Sequence, residues 1–285
     1  MLKRFFSKLT GLQQFQTYIA VLILFLGFLL AVFPTLFQPM DPFAQQLDMA
    51  FSPSSALNFF GCDHLGRDLY SRIVYGAKYS IVIGLSVATI TIIIPVIISS
   101  IVIFTKPLWN QVYLLVLDIF LVFPPLLLAI LITASTSEPN YMHVVLALSL
   151  AGWAANGRLI RSYLMQIQGQ DFVTAAQSLG ASSWRIYFNH LIPNILNQLI
   201  VLWSFRCGQM ILAEATLSFL GLGGGPDSLS WGWLVLEGKA HLTSAWILSL
   251  APATTIALLV YAFQVLGETL EKILFPQAPS QLLKG

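Results

Sequence analysis

Long apolar runs, separated by short polar segments, dominate the pattern of hydrophobic and polar positions along this chain. A helix needs about 20 apolar residues to cross a lipid bilayer. Because backbone groups in lipid must be satisfied within their own segment, each run of that length is predicted to be a transmembrane helix. The predicted spans are residues 18–37, 79–104, 108–134, 141–156, 195–220 and 245–270.

The first apolar run follows three basic residues, Lys3, Arg4 and Lys8, and so has the general layout of a signal peptide. Its apolar core is longer than the roughly 7–15 residues of a signal sequence, and no small-x-small cleavage site follows it. We therefore predict an uncleaved first transmembrane helix.

Hydrophobic residues make up 57% of the chain and charged residues only 9%. Soluble domains carry about 25% charged residues. The chain is therefore predicted to be an all-α integral membrane protein with six transmembrane helices. Its basic residues are scattered, which argues against a nucleic-acid partner. The two cysteines, Cys62 and Cys207, are too few for the disulfide framework of a small secreted domain.

The distribution of basic residues predicts the orientation, because cytoplasmic segments of membrane proteins are enriched in Lys and Arg. With the N-terminus inside, more basic residues fall in inside segments than in outside ones, and Arg206 falls within a span. This asymmetry predicts that both termini are cytoplasmic. The inside residues are Lys3, Arg4, Lys8, Lys106, Arg158, Arg161, Arg185, Lys272 and Lys284, and the outside residues are Arg67, Arg72, Lys78 and Lys239.

A more polar stretch between two apolar runs, Asp171–Pro193, has the periodicity of two short helices on the cytoplasmic side. Gly180 stands where a helix C-terminus favours positive φ, and Ser182 or Ser183 can cap the second helix, which Pro193 is expected to end. Such a hairpin suits a groove on a soluble partner, or else lies on the membrane without one. Its apolar face comprises Phe172, Ala175, Ala176, Leu179, Trp184, Tyr187, Phe188 and Leu191.

This stretch resembles the EAA loop of permease subunits of ATP-binding-cassette (ABC) importers, which in that family is cytoplasmic and docks into the ATPase subunit. Thr174 stands where Glu is usual and His190 where Ile is common, so one polar contact to the ATPase is missing from the pattern. The resemblance implies an ATPase-coupling loop at residues 158–193. Its implied coupling residues are Asp171, Phe172, Thr174, Ala175, Ala176, Leu179, Gly180 and Pro193.

Two further blocks, Gly61–Ala77 and Leu217–Gly267, resemble C-type subunits of dipeptide, oligopeptide and nickel importers. The resemblance implies a type I ABC importer permease core of the MetI-like kind. It divides the chain into an N-terminal transmembrane helix with the start of a periplasmic loop (1–56), the permease domain (57–276) and a short C-terminal tail (277–285).

The first of these blocks offers two kinds of local chemistry. Asp68 and Arg72 are four residues apart and are predicted to pair on a helix along the membrane interface. Cys62, Asp63, His64 and Asp68 can alternatively be read as metal ligands. Three consecutive ligands are a poor chelate spacing, so the ion pair is the favoured interpretation.

Asp118, Arg206 and Glu214 are the ionisable residues deepest within the apolar runs. Charges at such positions usually face the bundle interior or water. An ion pair between Arg206 and Glu214, a lining of the transport path and a proton relay are the alternatives, of which structural pairing is favoured over a relay. Pro95 and Pro124-Pro125 predict kinks that either serve packing or widen a path.

The sequence contains no GxxxxGK[ST] phosphate loop and no catalytic or metal-spaced cluster. The resemblance implies a non-catalytic permease subunit of an ATP-driven importer in a bacterial inner membrane. It binds no cofactor itself, because ATP and Mg²⁺ are bound by partner subunits.

The implied partners are a homologous B-type permease, two ABC ATPase subunits, a solute-binding protein and membrane lipid. The implied substrate is a di- or oligopeptide, with nickel or a nickel chelate as the alternative. A secondary transporter or channel that uses Asp118 and Glu214 for protons is the rival of another class. That rival predicts an internal repeat, which is not evident.

Overall fold

The computed structural model describes residues 10–56, 58–136, 140–225 and 228–275 as a bundle of long helices joined by short connections. Lys3, Arg4, Lys8, Pro226 and the predicted tail 277–285 lie outside the described residues. Within the described ranges the helices are α1 (Gly11–Val32), α2 (Pro34–Phe37), α3 (Leu69–Val102), α4 (Pro107–Val122), α5 (Pro125–Ala134), α6 (Tyr141–Gln168), α7 (Asp171–Ser178), α8 (Ser183–Ile186), α9 (Ile192–Phe219), α10 (Trp231–Lys239) and α11 (Ile247–Leu274). A 3-10 turn covers Leu47–Met49, and a π-helical turn, Tyr187–Leu191, joins α8 to α9.

The predicted multi-span, all-helical class is confirmed. Among the described residues, five helices are long and apolar enough to cross a membrane, with α8, the π-helical turn and α9 counted as one. The sixth candidate is the pair α4 and α5, which is bent by 80°. Phe123 and Pro124 are extended at this bend, as expected before a proline, so the predicted kink at Pro124-Pro125 is confirmed.

Two predicted spans are too short. The span predicted at 79–104 begins at Leu69, so part of the predicted external loop is helical. The Asp68 carboxylate starts this helix by accepting a hydrogen bond from the Ser71 N–H at 2.7 Å. The helix predicted at 141–156 continues to Gln168. The prediction stopped early because hydropathy falls at Arg158 and Arg161, although the backbone stays helical there.

These longer helices change the count of basic residues in the connecting segments. Arg158 and Arg161 lie within α6, and Arg72 and Lys78 lie within α3. Such residues carry less weight for orientation than residues in loops. The cytoplasmic placement of both termini therefore stays a prediction.

Helices α3 and α9 occupy the centre of the bundle. Helix α3 packs against α1, α6 and α9, and α9 also packs against α10 and α11. The crossing of α3 and α9 requires a glycine, because a Cβ on Gly84 would lie 2.3 Å from the Ile211 side chain. Helix α9 is thus packed closely against the centre of the bundle, and the segment before it contains the candidate site.

Candidate functional site

The hairpin formed by α7, Gly180 and α8 has the turn that the sequence predicts. Gly180 has φ +79°, and a Cβ there would meet no atom within 4 Å. The N–H groups of Gly180 and Ala181 donate to the carbonyls of Gln177 and Ala176, at 2.9 and 3.1 Å. This pair of bonds is a Schellman motif, which requires a left-handed residue at position 180. Ser182 caps α8 by accepting a hydrogen bond from the Arg185 N–H, as predicted.

Large apolar side chains on this hairpin are exposed. Leu179 is 89% exposed, Trp184 63%, and Phe172 and Phe188 are also exposed. The rings of Trp184 and Phe188 stack with their centroids 5.7 Å apart. We call these four residues the apolar knob. The predicted face of α7 is free for a partner, whereas the predicted face of α8 is only half free, since Tyr187 is buried.

Sequence periodicity missed two of the residues that attach the hairpin to the bundle, Val173 and Ile186. Val173 and Ile186 are buried and pack in one cluster with Ile92 of α3, Leu164 of α6 and Ile195 of α9. The Tyr187 hydroxyl also donates to the Val96 carbonyl at 3.0 Å. The hairpin therefore has a buried base attached to three long helices and an exposed apolar tip at Leu179. Trp184 and Phe188 are exposed nearer the base, where they border a groove with Ile97 of α3.

Pro193 does not end the second helix, contrary to the prediction. The chain continues from α8 through the π-helical turn into α9, and Pro193 lies in the first turn of α9. A missing N–H is tolerated there. In the π-helical turn, the Ile192 N–H donates a hydrogen bond to the Tyr187 carbonyl, five residues earlier. The knob is thus continuous with a helix that crosses the membrane.

On the opposite side of the bundle, four charged residues connect the loop before α3 to α10. Asp63 pairs with Arg67 at 2.7 Å and with Arg72, and Glu237 pairs with Arg72 at 2.7 Å and with Arg67 at 3.4 Å. We call these residues the loop cluster. The predicted pairing of Asp68 with Arg72 is wrong, because Asp68 caps α3 instead. In the described part of the chain, no group of three His, Cys, Asp or Glu side chains is arranged to hold a metal ion.

The environment of Asp63 lowers its pKa. Burial by itself raises this pKa, but the Arg67 N–H bond, the charges of Arg72 and Arg67, and the Leu65 N–H bond outweigh it. A carboxyl group whose pKa is lower in the folded state stabilises the fold above its unfolded pKa. That contribution is lost as the pH falls through the folded value.

We therefore expect the detergent-purified protein to lose thermal stability progressively below about pH 4, the ordinary pKa of an aspartate in an unfolded chain, as the pH falls towards the lower pKa of Asp63 in the folded protein. Asp63→Asn should be less stable at pH 7, and its melting temperature should change less between pH 7 and pH 3. Parallel pH profiles for the two proteins would contradict the assignment to Asp63. The conservative variant Asp41→Asn, in an exposed turn, is the matched control.

The three intramembrane charges do not come together. Glu214 is 1% exposed and accepts a hydrogen bond from Ser218 at 2.7 Å. Arg206 donates to Gln209 at 2.8 Å, so the favoured Arg206–Glu214 pair is not formed. Asp118 pairs with Arg158 on the surface of the chain, with side chains 54% and 55% exposed. Of the three, Glu214 is fully buried, Arg206 is half-buried and Asp118 is exposed.

The sequence is similar to known transport proteins. The sequence matches the family described as "Binding-protein-dependent transport system inner membrane component" over residues 92–278. It is 36% identical over 236 residues to a putative peptide transport system permease protein of Brucella suis, covering 83% of this chain and 79% of the relative.

Two other relatives cover most of the chain. An oligopeptide transport system permease protein of Bacillus subtilis is 32% identical over 260 residues, 91% of this chain and 85% of the relative. A glutathione transport system permease protein of Salmonella typhimurium is 33% identical over 223 residues, 78% of this chain and 73% of the relative.

Proposed function

The chain belongs to the family of binding-protein-dependent transport system inner membrane components, as a permease subunit of an ABC importer, and we propose that it transports di- or oligopeptides. The names of the relatives support this substrate class, since they include peptide, oligopeptide and glutathione systems. Nickel or a nickel chelate is the alternative substrate.

We assign to the hairpin the coupling between transport and the ATPase subunits. The exposed apolar knob is the observation that supports this assignment most directly. Exposed apolar patches bordered by polar residues mark protein interfaces. Here the tip is free while Val173 and Ile186 anchor the base. A partner that moves the tip therefore moves α3, α6 and α9 with it, through their shared cluster.

The partners in this proposal are a homologous permease, two ATPase subunits, which bind ATP and Mg²⁺, and an external solute-binding protein. ATP binding changes the relative stability of two global states, in which the path opens to one side or the other. The hairpin transmits that change. This chain acts without catalysis and binds no cofactor.

Deleting the gene should abolish uptake of a radiolabelled dipeptide by whole cells and leave uptake of ⁶³Ni²⁺ unchanged. Restored dipeptide uptake on expression of the wild-type chain is the control. Loss of nickel uptake with intact dipeptide uptake would favour the alternative substrate. Loss of neither would contradict a role as an importer of these substrates.

The proposed topology places Ala56 outside and the hairpin inside, with the bent pair α4 and α5 crossing the membrane once. Cysteines at the exposed positions Ala56 and Ser183 are to be probed with an impermeant thiol reagent, in a background that lacks Cys62 and Cys207. Ala56→Cys should react in intact spheroplasts, and Ser183→Cys only after permeabilisation. Reaction of both in intact spheroplasts would show that the bent pair is re-entrant and would overturn the topology.

A further inference from the structure

Four polar side chains, three of them exposed and one half-buried, lie within segments that cross the membrane. Asp118 and Arg158 form an ion pair that is about half exposed, and Arg206 is hydrogen-bonded to the exposed Gln209. Arg158 is about 15 Å from the C-terminal end of α6 at the helical rise of 1.5 Å per residue, and Arg206 is near the middle of α9. Arg206 is therefore far from both ends of its helix.

Contact of these groups with lipid tails is unfavourable. A charged side chain at the bilayer centre costs several kcal/mol, and such residues face water or protein. Gln209 lines a groove of about 350 Å³ at the junction of α5, α6 and α9, together with Ala151 and Ala213. Arg158 is seven residues after Ala151, and Arg206 seven before Ala213. Seven residues are two helical turns, so both arginines lie on the groove side of their helices.

The two polar pairs differ in charge. The Asp118–Arg158 pair is neutral, whereas Arg206 pairs with an uncharged amide whose oxygen accepts from Nη1 at 2.8 Å. Among the described residues, no carboxylate lies within ion-pair distance of Arg206. Glu268 of the neighbouring helix α11 instead accepts a hydrogen bond from Gln264. Arg206 keeps guanidinium N–H donors, and Gln209 keeps its amide NH₂.

We propose that Arg206 and Gln209 form a carboxylate-binding position on the water-facing wall of the transport path, where the C-terminal carboxylate of a peptide binds during transport. A guanidinium offers two parallel N–H donors that match a carboxylate, and the Gln209 amide supplies a third. This inference rests on the proposed peptide substrate. Binding is expected to be weak, because a path must release what it binds.

Water access and local charge can be tested without any substrate. Gln209→Cys, in a protein without Cys62 and Cys207, is treated with anionic and cationic methanethiosulfonates in membrane vesicles that contain the assembled importer. The anionic reagent should react faster, and the added change Arg206→Gln should lower the ratio of the two rates by about tenfold. Leu22→Cys, on an exposed apolar face of α1, should react with neither and is the control.

Two outcomes of this labelling would overturn the inference. No reaction at Gln209→Cys would mean that lipid or the second permease covers the position. An unchanged ratio in Arg206→Gln would mean that the guanidinium does not determine the local potential. Both outcomes leave the role as an importer permease intact, since labelling does not depend on the substrate.

Specificity is tested by uptake of a dipeptide with a free C-terminus and of its C-terminal amide. The solute-binding protein is the same in every strain, so its preference cancels when strains are compared. The measured quantity is the maximal uptake rate of the free peptide divided by that of its amide. Arg206→Gln should lower this ratio by about tenfold, and Arg206→Lys should lower it less. Equal losses for both peptides would indicate a purely structural role and overturn the inference. Absent uptake of both peptides in wild type would instead contradict the proposed substrate.

Discussion

Gly180→Val should reduce transport at least about fivefold while the protein still accumulates in the membrane at a normal level. A β-branched residue at φ +79° strains the turn by about 1 kcal/mol or more, although no neighbouring atom obstructs the new side chain. The turn relaxes by changing the direction of α7, which displaces Phe172 and Leu179 relative to Trp184. A loss of about 1 kcal/mol in docking free energy is a fivefold loss of affinity. Uptake per unit of membrane-inserted protein is the measurement.

Gly169→Val is the matched control for this prediction. Gly169 lies just before α7 with φ −77°, and a Cβ there meets its nearest atoms at an ordinary 3.7 Å. It introduces the same side chain next to the same helix without the left-handed strain. Full transport in a well-expressed Gly180→Val protein would contradict the lever role of the hairpin. Equal losses in both variants would point to a crowding effect instead.

Arg72→Met should destabilise the protein by up to about 3–5 kcal/mol, because it removes the most deeply buried cation of the loop cluster and leaves Asp63 and Glu237 to share Arg67 alone. Arg72 is 1% exposed and contacts both carboxylates of the loop cluster. The melting temperature of the detergent-purified protein should fall by many degrees. The loop before α3 should also become more sensitive to protease, since only the Arg67–Glu237 pair at 3.4 Å then joins its charged residues to α10.

Lys78→Met removes a positive charge from the same helix at an exposed position and is the control for Arg72→Met. It should leave the melting temperature nearly unchanged. Combining Arg72→Met with Glu237→Gln should cost less than the sum of the two single changes, since the double variant has one unpaired carboxylate fewer. Similar melting temperatures for Arg72→Met and Lys78→Met would contradict the structural role of the loop cluster.

The sequence was informative wherever one residue type satisfies a local backbone requirement. Gly180 and Ser182 could be assigned to their turn and cap because both motifs are set by a few neighbouring residues. The bend at Pro124-Pro125 was predictable for the same reason. The transmembrane class followed from apolar run length, since the bilayer sets a minimum helix length.

Long-range contacts could not be predicted in this way. The loop cluster joins Asp63 and Arg72 to Glu237, which is far along the chain, so local spacing suggested the wrong partner, Asp68. Val173 was missed because α7 has apolar residues both on the side that packs against the bundle and on the exposed side. The periodicity of α7 identified only the exposed side. The π-helical turn before Pro193 depends on the buried contacts of Tyr187, which only the folded bundle shows.

The central claim, that the apolar knob docks into an ATPase subunit, is tested most directly by a photo-crosslinking amino acid at Leu179. The chain is to be co-expressed with the ATPase subunits and the second permease of its importer, and the crosslinked partner identified by mass spectrometry. We expect an ultraviolet-dependent adduct with an ATPase subunit at position 179 and none from Leu22, an exposed position on α1. An assembled importer in which position 179 gives no ATPase adduct would contradict the central claim.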